Sequence, residues 1–282
     1  MPPVTGDLPA DPPLDRFLAA PLDQSVDQSV DPPLDPPLDY ANLTGRPDGR
    51  FLTALGRALP GVARVQAQVR PYARCWHEAN CAVLAGSGRR WIVLGDSMSL
   101  GIGASAFDAG WVNQAAADLA GRGHPLKIVN LSASGATVAD VIAQQLPAWA
   151  ALPDEPHAPA EIVTVLVGSN DLLNRTHRAR LPERFDQLLA ALPPTAVVST
   201  LPQPRRAARA ANEVIERYRR KAAVLVVDMR RAGPSSWRGK LAADHFHPND
   251  RGYRAIADAF TPQLVRALGS ADTASSHTGG TG

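Results

Sequence analysis

No apolar run in this chain of 282 residues approaches the ~20 residues that a membrane-spanning helix requires. Nor does the apolar h-region of a secretory signal open it, so the expectation is a soluble, cytoplasmic protein with no stable membrane span. Cysteine is scarce. Cys75 and Cys81 stand in one helical stretch, well over a turn apart, and form no Cys-x-x-Cys pair. A disulfide framework is excluded as an organising device, and two reduced, half-buried thiols are expected. Charge of either sign is not in excess: 29 Lys and Arg against 27 Asp and Glu leave a net +2. Without a basic run interleaved with aromatics, a nucleic-acid partner is excluded too. Two motifs are also missing. The glycine-rich turn Gly101-Ile102-Gly103-Ala104 has no lysine after it, so it is no Walker-type phosphate loop. No Gly-x-Ser-x-Gly elbow surrounds Ser97.

What is present, 45% hydrophobic and 20% charged residues, is the composition of a globular chain long enough for a sizeable core. Residues 1–45 read differently. Asp23-Gln-Ser-Val, Asp27-Gln-Ser-Val, Asp31-Pro-Pro-Leu and Asp35-Pro-Pro-Leu form a tetrapeptide repeat that runs into Asp39. Its prolines deny regular ladders their hydrogen bonds and its aspartates repel one another, so this segment is expected to be disordered. Residues 46–88 are expected to form a helical extension, because Val62, Val65, Val69, Tyr72, Trp76, Ala79 and Val83 recur at steps of three and four. Pro71 should kink or split that helix, giving a hairpin packed beside the main domain; a lid or a dimer face are the alternatives. Residues 89–269 should form that main domain, and the tail 270–282, ending Thr278-Gly-Gly-Thr-Gly, is expected to be disordered.

In the main domain, five β-branched runs read as buried strands: 91–95, 126–131, 161–167, 196–201 and 223–228. They alternate with helical segments at 111–122, 138–150, 181–192 and 205–222. Such alternation predicts an α/β fold, a parallel sheet covered on both faces and wound by right-handed crossovers.

Four polar blocks follow apolar runs, where a parallel sheet would gather them at its carboxyl edge. They are Gly95-Asp96-Ser97, Ser132-Ala133-Ser134-Gly135, Gly168-Ser169-Asn170-Asp171 and Asp244-His245-Phe246-His247-Pro248. This set, in this order, resembles the SGNH hydrolases, the GDSL-type esterase and lipase superfamily, from about Trp91 to Leu268. The resemblance matches the four signature positions to Ser97, Gly135, Asn170 and His247, with Asp244 as the acid. It implies a flavodoxin-like three-layer α/β/α sandwich whose five parallel strands are ordered 2-1-3-4-5. Met98 stands where a common version of the first block has leucine, a change that keeps the apolar character.

The chemistry of these residue types agrees. A serine hydroxyl needs a base within hydrogen-bond reach, and an imidazole takes and returns a proton at neutral pH. Asp244 could fix the tautomer of His247; His245 competes as the base, but the block's spacing favours His247. The N–H groups of Ser97 and Gly135 and the side-chain amide of Asn170 could meet an oxyanion. Asp96 and Asp171 read as loop-bracing carboxylates, and Asn249 or Asp250 as the cap of the last helix. Arg205, Arg206 and Arg209 could face the mouth of the site. The expected activity is that of a serine carboxylester hydrolase (esterase) acting on a small or medium acyl ester through an acyl-serine, with no cofactor and no metal. The alternatives are an acyltransferase or thioesterase using the same groups, and a catalytically silent binding module. The partner expected is a small-molecule ester; the oligomeric state is left open.

Overall fold

Strand β1 (Arg90–Gly95) is buried throughout and occupies the middle of the molecule. In the computed structural model, which describes residues 38–46, 59–154 and 160–278, it pairs in parallel with β2 (Lys127–Asn130) on one side and β3 (Ile162–Leu166) on the other. β4 (Val197–Ser199) and β5 (Leu225–Val227) extend the sheet beyond β3, giving an all-parallel order 2-1-3-4-5. Trp91 lies level with Ile128 and Ile162, and Val198 with Val165 and Val226.

Side chains of a strand alternate between faces, and here the alternation builds two cores. Ile92, Leu94, Val163, Val165 and Val198 pack against Val141, Phe185, Leu188 and Ile215. Trp91, Val93, Ile162 and Val197 pack on the other face with Trp76, Trp111, Leu119, Phe260 and Leu264. Helices α6 (Arg175–Ala190) and α7 (Arg206–Arg220) therefore share the first face with α5, a continuous run of Val138–Asp140, Val141–Gln145 and Leu146–Ala150. The second face carries α2 (Val69–Leu84), α4 (Trp111–Gly121) and α8 (Asp250–Thr278), and also the residue Val65 of α1 (Pro60–Gln66). The molecule is a three-layer α/β/α sandwich. No helix among the described residues is long and apolar enough to cross a membrane. Cys75 and Cys81, both on α2, are free and half-buried.

Three expectations from composition are corrected. The leading helical stretch divides at Ala67 and Gln68, upstream of Pro71, which sits in the first turn of α2, where a missing N–H breaks no ladder. The amino-terminal segment, expected to be disordered to residue 45, is ordered from Leu38 onward: Leu38 and Asn42 are buried, and Leu43 bridges to Ser134. The proline-aspartate repeat hid these anchors, whose partners are distant in sequence; its residues 1–37 lie outside the described ones. The tail does not begin at 270, because α8 continues to Thr278, with Ser270 Oγ donating to the Arg266 carbonyl and Ala271 buried. No glycine or proline interrupts that stretch before Gly279, so nothing stops the helix. Residues 279–282 lie outside the description.

Candidate active site

Asp96 ends β1 and caps the single-turn helix α3 (Ser97–Leu100): its Oδ1 accepts from the Met98 N–H at 3.0 Å. Ser97 thereby occupies the first helical position, where its own N–H has no intrahelical partner. The approach to it is tight. A side chain on Gly95 would meet the Leu166 carbonyl at 2.5 Å and Ser99 Oγ at 2.6 Å. Gly95 is held in turn by Gln145, whose Oε1 accepts from the Gly95 N–H and whose Nε2 donates to the Gly95 carbonyl, both at 2.8 Å. Burial pushes the Asp96 carboxyl up to about 7, helped by the nearby charge of Asp171.

His247 arrives on a loop between β5 and α8. Ala242 N–H donates to the His247 carbonyl at 2.8 Å, and Leu241 bridges to Pro248. Asp244 Oδ1 accepts the backbone N–H groups of Phe246 and His247, each at 3.0 Å. Its Oδ2 faces His247 Nδ1 at 2.6 Å, and His247 Nε2 faces Ser97 Oγ at 2.9 Å. Although burial pushes the Asp244 carboxyl up, the hydrogen bond with His247 and those from the backbone outweigh it and hold it below its ordinary value. An ionised carboxylate only accepts, so Nδ1 carries the proton and Nε2 presents a lone pair to the serine hydroxyl. His245 is exposed, at a φ of 57°, and takes no part. The loop fits because residue 103 is glycine: a Cβ there would lie 2.8 Å from His247 Cβ and 2.5 Å from the Pro248 carbonyl. Asn249, not Asp250, caps α8, accepting from Arg251 and Gly252 N–H at 3.1 Å each.

Gly135 and Asn170 sit in the loops after the two strands that flank β1. Ala133 N–H donates to the Gly95 carbonyl at 3.2 Å, and Asp96 N–H to the Leu166 carbonyl at 3.3 Å. The two loops are joined to each other, since Asn170 Nδ2 donates to the Ala136 carbonyl at 2.9 Å and Asp171 Oδ2 accepts from Val138 N–H at 3.0 Å. Burial pushes Asp171 up to about 6. Gly135 has a φ of 76° and open space where a side chain would project, so its backbone conformation is what calls for glycine. Ser97, His247 and Asp244 are thus joined directly, whereas Gly135 and Asn170 reach them through backbone bonds at the sheet edge.

Several supporting residues escape a reading of the sequence. Gln68 accepts from Gly103 N–H at 2.8 Å and donates to the Ala104 carbonyl at 3.0 Å; Tyr72 donates to the same carbonyl, and Trp76 Nε1 to that of Leu100. Helix α2 and the turn before it therefore brace the turn that follows Ser97. On the far side, Asn42 donates to the Asn130 and Ser132 carbonyls at 2.7 and 2.9 Å. Arg46 clasps Asp140 with both terminal nitrogens and donates to the Gly135 carbonyl at 3.0 Å. Burial pushes the Asp140 carboxyl up, yet the bonds from Arg46 and Thr137 hold it below its ordinary value. The one signal in the sequence was Gln145, a polar residue at a position where the period of α5 requires an apolar one. Among the described residues, no group of three or more His, Cys, Asp or Glu could hold a metal ion.

The GDSL-like lipase/acylhydrolase family matches residues 93–255, a span that contains Ser97, Gly135, Asn170, Asp244 and His247. No curated protein matches the chain. Among solved structures, a lipolytic protein of the G-D-S-L family from Veillonella parvula is similar at 19% identity and a TM-score of 0.50, over 63% of this chain and 99% of that one. A variant of Axe2, an acetyl xylan esterase from Geobacillus stearothermophilus, is similar at 22% identity and 0.50, over 64% and 95%. TesA is similar at 24% and 0.50, over 64% and 99%. At such identities the likeness speaks for the shared fold.

Proposed function

The chain belongs to the GDSL-like lipase/acylhydrolase family and is an enzyme of that type, and we propose that it is a serine carboxylester hydrolase working through an acyl-serine. The observation that carries this reading is the unbroken series from Asp244 through His247 to Ser97, with heavy-atom distances of 2.6 and 2.9 Å. Ser97 Oγ attacks the ester carbonyl as its proton passes to His247 Nε2. Asp244, held ionised, keeps the productive tautomer and stabilises the imidazolium that forms. The Ser97 and Gly135 N–H groups and Asn170 Nδ2 receive the developing oxyanion. Asn170 has two amide hydrogens; the one given to Ala136 orients the amide, leaving the other for the substrate. Imidazolium then protonates the departing alcohol, the ester C–O bond breaks, and water deacylates the serine with His247 again as base.

Two exposed apolar side chains support an acyl group as the bound portion. Phe246, 46% exposed, stands edge-on to the His247 ring with centroids 4.9 Å apart, and Leu173, 65% exposed, lies three residues beyond Asn170. Pure protein given p-nitrophenyl esters of graded acyl length should hydrolyse the short and medium members, and Ser97→Ala should abolish this. Turnover unchanged in Ser97→Ala would refute the reading.

A further inference from the structure

Helices α6 and α7 each follow a strand of the parallel sheet, β3 and β4, so their first turns lie at the carboxyl edge, as Ser97 does. Between them runs a groove of about 570 Å³ whose lining includes Arg175, Arg178, Arg205 and Arg206 over a floor of alanines and Pro182. Neither helix has an acidic residue in its first turn, although the positive end of a helix favours one. Among the described residues, none of the four guanidinium groups forms an ion pair, whereas Arg46, Arg217, Arg219, Arg230 and Arg254 each meet a carboxylate. Four like charges gathered at two helix starts, without a counter-charge, oppose local stability. Such a conflict is the mark of a functional surface.

The groove is also tied to the loop that carries Asn170. Arg175 follows Asn170 by five positions, and the turn Asp171–Leu173 shortens even that reach to well under ~18 Å. Gln203, two residues before Arg205, donates to Ser169 Oγ at 3.3 Å, tying the groove's second wall to the loop that carries Asn170. Guanidinium groups match phosphate oxygens in planar, two-pronged fashion, and a groove of this size holds more than a single small anion.

We propose that this groove binds a phosphate group carried by the substrate, so that the enzyme acts on phosphorylated esters; this rests on the hydrolase reading above. The phosphate is that of a soluble phosphorylated alcohol or of a lipid headgroup, and the chemistry of recognition is the same for both.

Two measurements on the full chain test it. Inorganic pyrophosphate, titrated calorimetrically, should bind saturably to the wild type and at least tenfold more weakly to an Arg175→Gln/Arg206→Gln double variant. Arg209→Gln, outside the lining, should bind as the wild type does. This arm reads no turnover, so it decides the anion site even if no ester is hydrolysed, a result that would sink the hydrolase reading instead. In the second arm, kcat/KM for a butyryl ester of glycerol 3-phosphate should exceed that for butyrylglycerol at least tenfold. The double variant should lose this preference and keep its rate on butyrylglycerol. The same preference shown only by a micellar lysophospholipid would identify the headgroup as the source. Pyrophosphate binding that is absent, or unchanged in the double variant, overturns the proposal, as does equal hydrolysis of phosphorylated and neutral esters.

Discussion

The side-chain amide of Gln145 pairs with both backbone polar groups of Gly95, at 2.8 Å each, two residues before Ser97. Strand β2 ends at Asn130 while β1 continues to Gly95; the Ala133 N–H still reaches the Gly95 carbonyl, and the amide adds a second donor to that carbonyl and an acceptor for the Gly95 N–H. Gln145 closes a π-helical turn, residues 141–145, within α5 and is fully buried there.

Gln145→Leu should leave the Gly95 N–H buried without a partner, at a cost of about 1–3 kcal/mol in urea unfolding. With Ser97 less firmly placed, kcat should fall about tenfold or more while KM stays near its wild-type value. Unchanged stability together with unchanged kcat would show that the pairing supports nothing.

Asn42 is buried at a φ of 55°, a conformation asparagine tolerates better than alanine, and it donates two hydrogen bonds to the backbone around Asn130. Asn42→Ala should therefore destabilise the protein by about 2–4 kcal/mol, read as a lower urea midpoint at constant m. A midpoint unmoved by the substitution would mean that residues 38–46 contribute nothing to the fold.

Asn170→Ala separates transition-state binding from ground-state binding. The amide is proposed to meet a charge that exists only during reaction, so kcat should fall by about 10²–10³ with KM little changed. A raised KM with intact kcat would remove Asn170 from the oxyanion site.

Asp96 makes stability depend on pH. Burial raises its carboxyl from 3.8 to about 7, so the folded state keeps a proton that the unfolded chain has released. Its contribution is full below about pH 4 and is lost as pH rises towards about 7. Asp96→Asn keeps an acceptor for the Met98 N–H and abolishes the titration. Relative to the wild type, the variant should gain on the order of 2–4 kcal/mol between about pH 4 and pH 8, followed by unfolding at each pH. A difference that is flat across this range would contradict the raised carboxyl.

The sheet was legible because its strands are nearly continuous apolar runs, each ending at a polar block or turn, and their order follows the family resemblance. Ser97, Asn170 and His247 could be picked out because each lies in a short local block whose residue types announce their chemistry. The supports could not. Asn42 meets a backbone 88 residues away and Arg46 a carboxylate 94 away, contacts that no local pattern encodes. Gln145 shows only as a polar residue on the core face of its helix, and its partner Gly95 is 50 residues away. Asn80, which pairs with the N–H and carbonyl of Asn130 on the edge strand, is likewise a polar residue that a helical period would simply place in the core. The arginine groove required the packing of two helices, because Arg175 and Arg206 are 31 positions apart and only Arg205, Arg206 and Arg209 stood out in sequence. Of those three, Arg209 is not among the residues that line it.

The most direct measurement is reaction with a fluorophosphonate, which phosphonylates a serine only when a neighbouring base activates it. Intact-mass analysis should show one adduct per chain, peptide mapping should place it on Ser97, and both Ser97→Ala and His247→Ala should abolish rapid labelling. An adduct on Ser99 or Ser134, or labelling that persists in Ser97→Ala, contradicts a Ser97 nucleophile activated by His247.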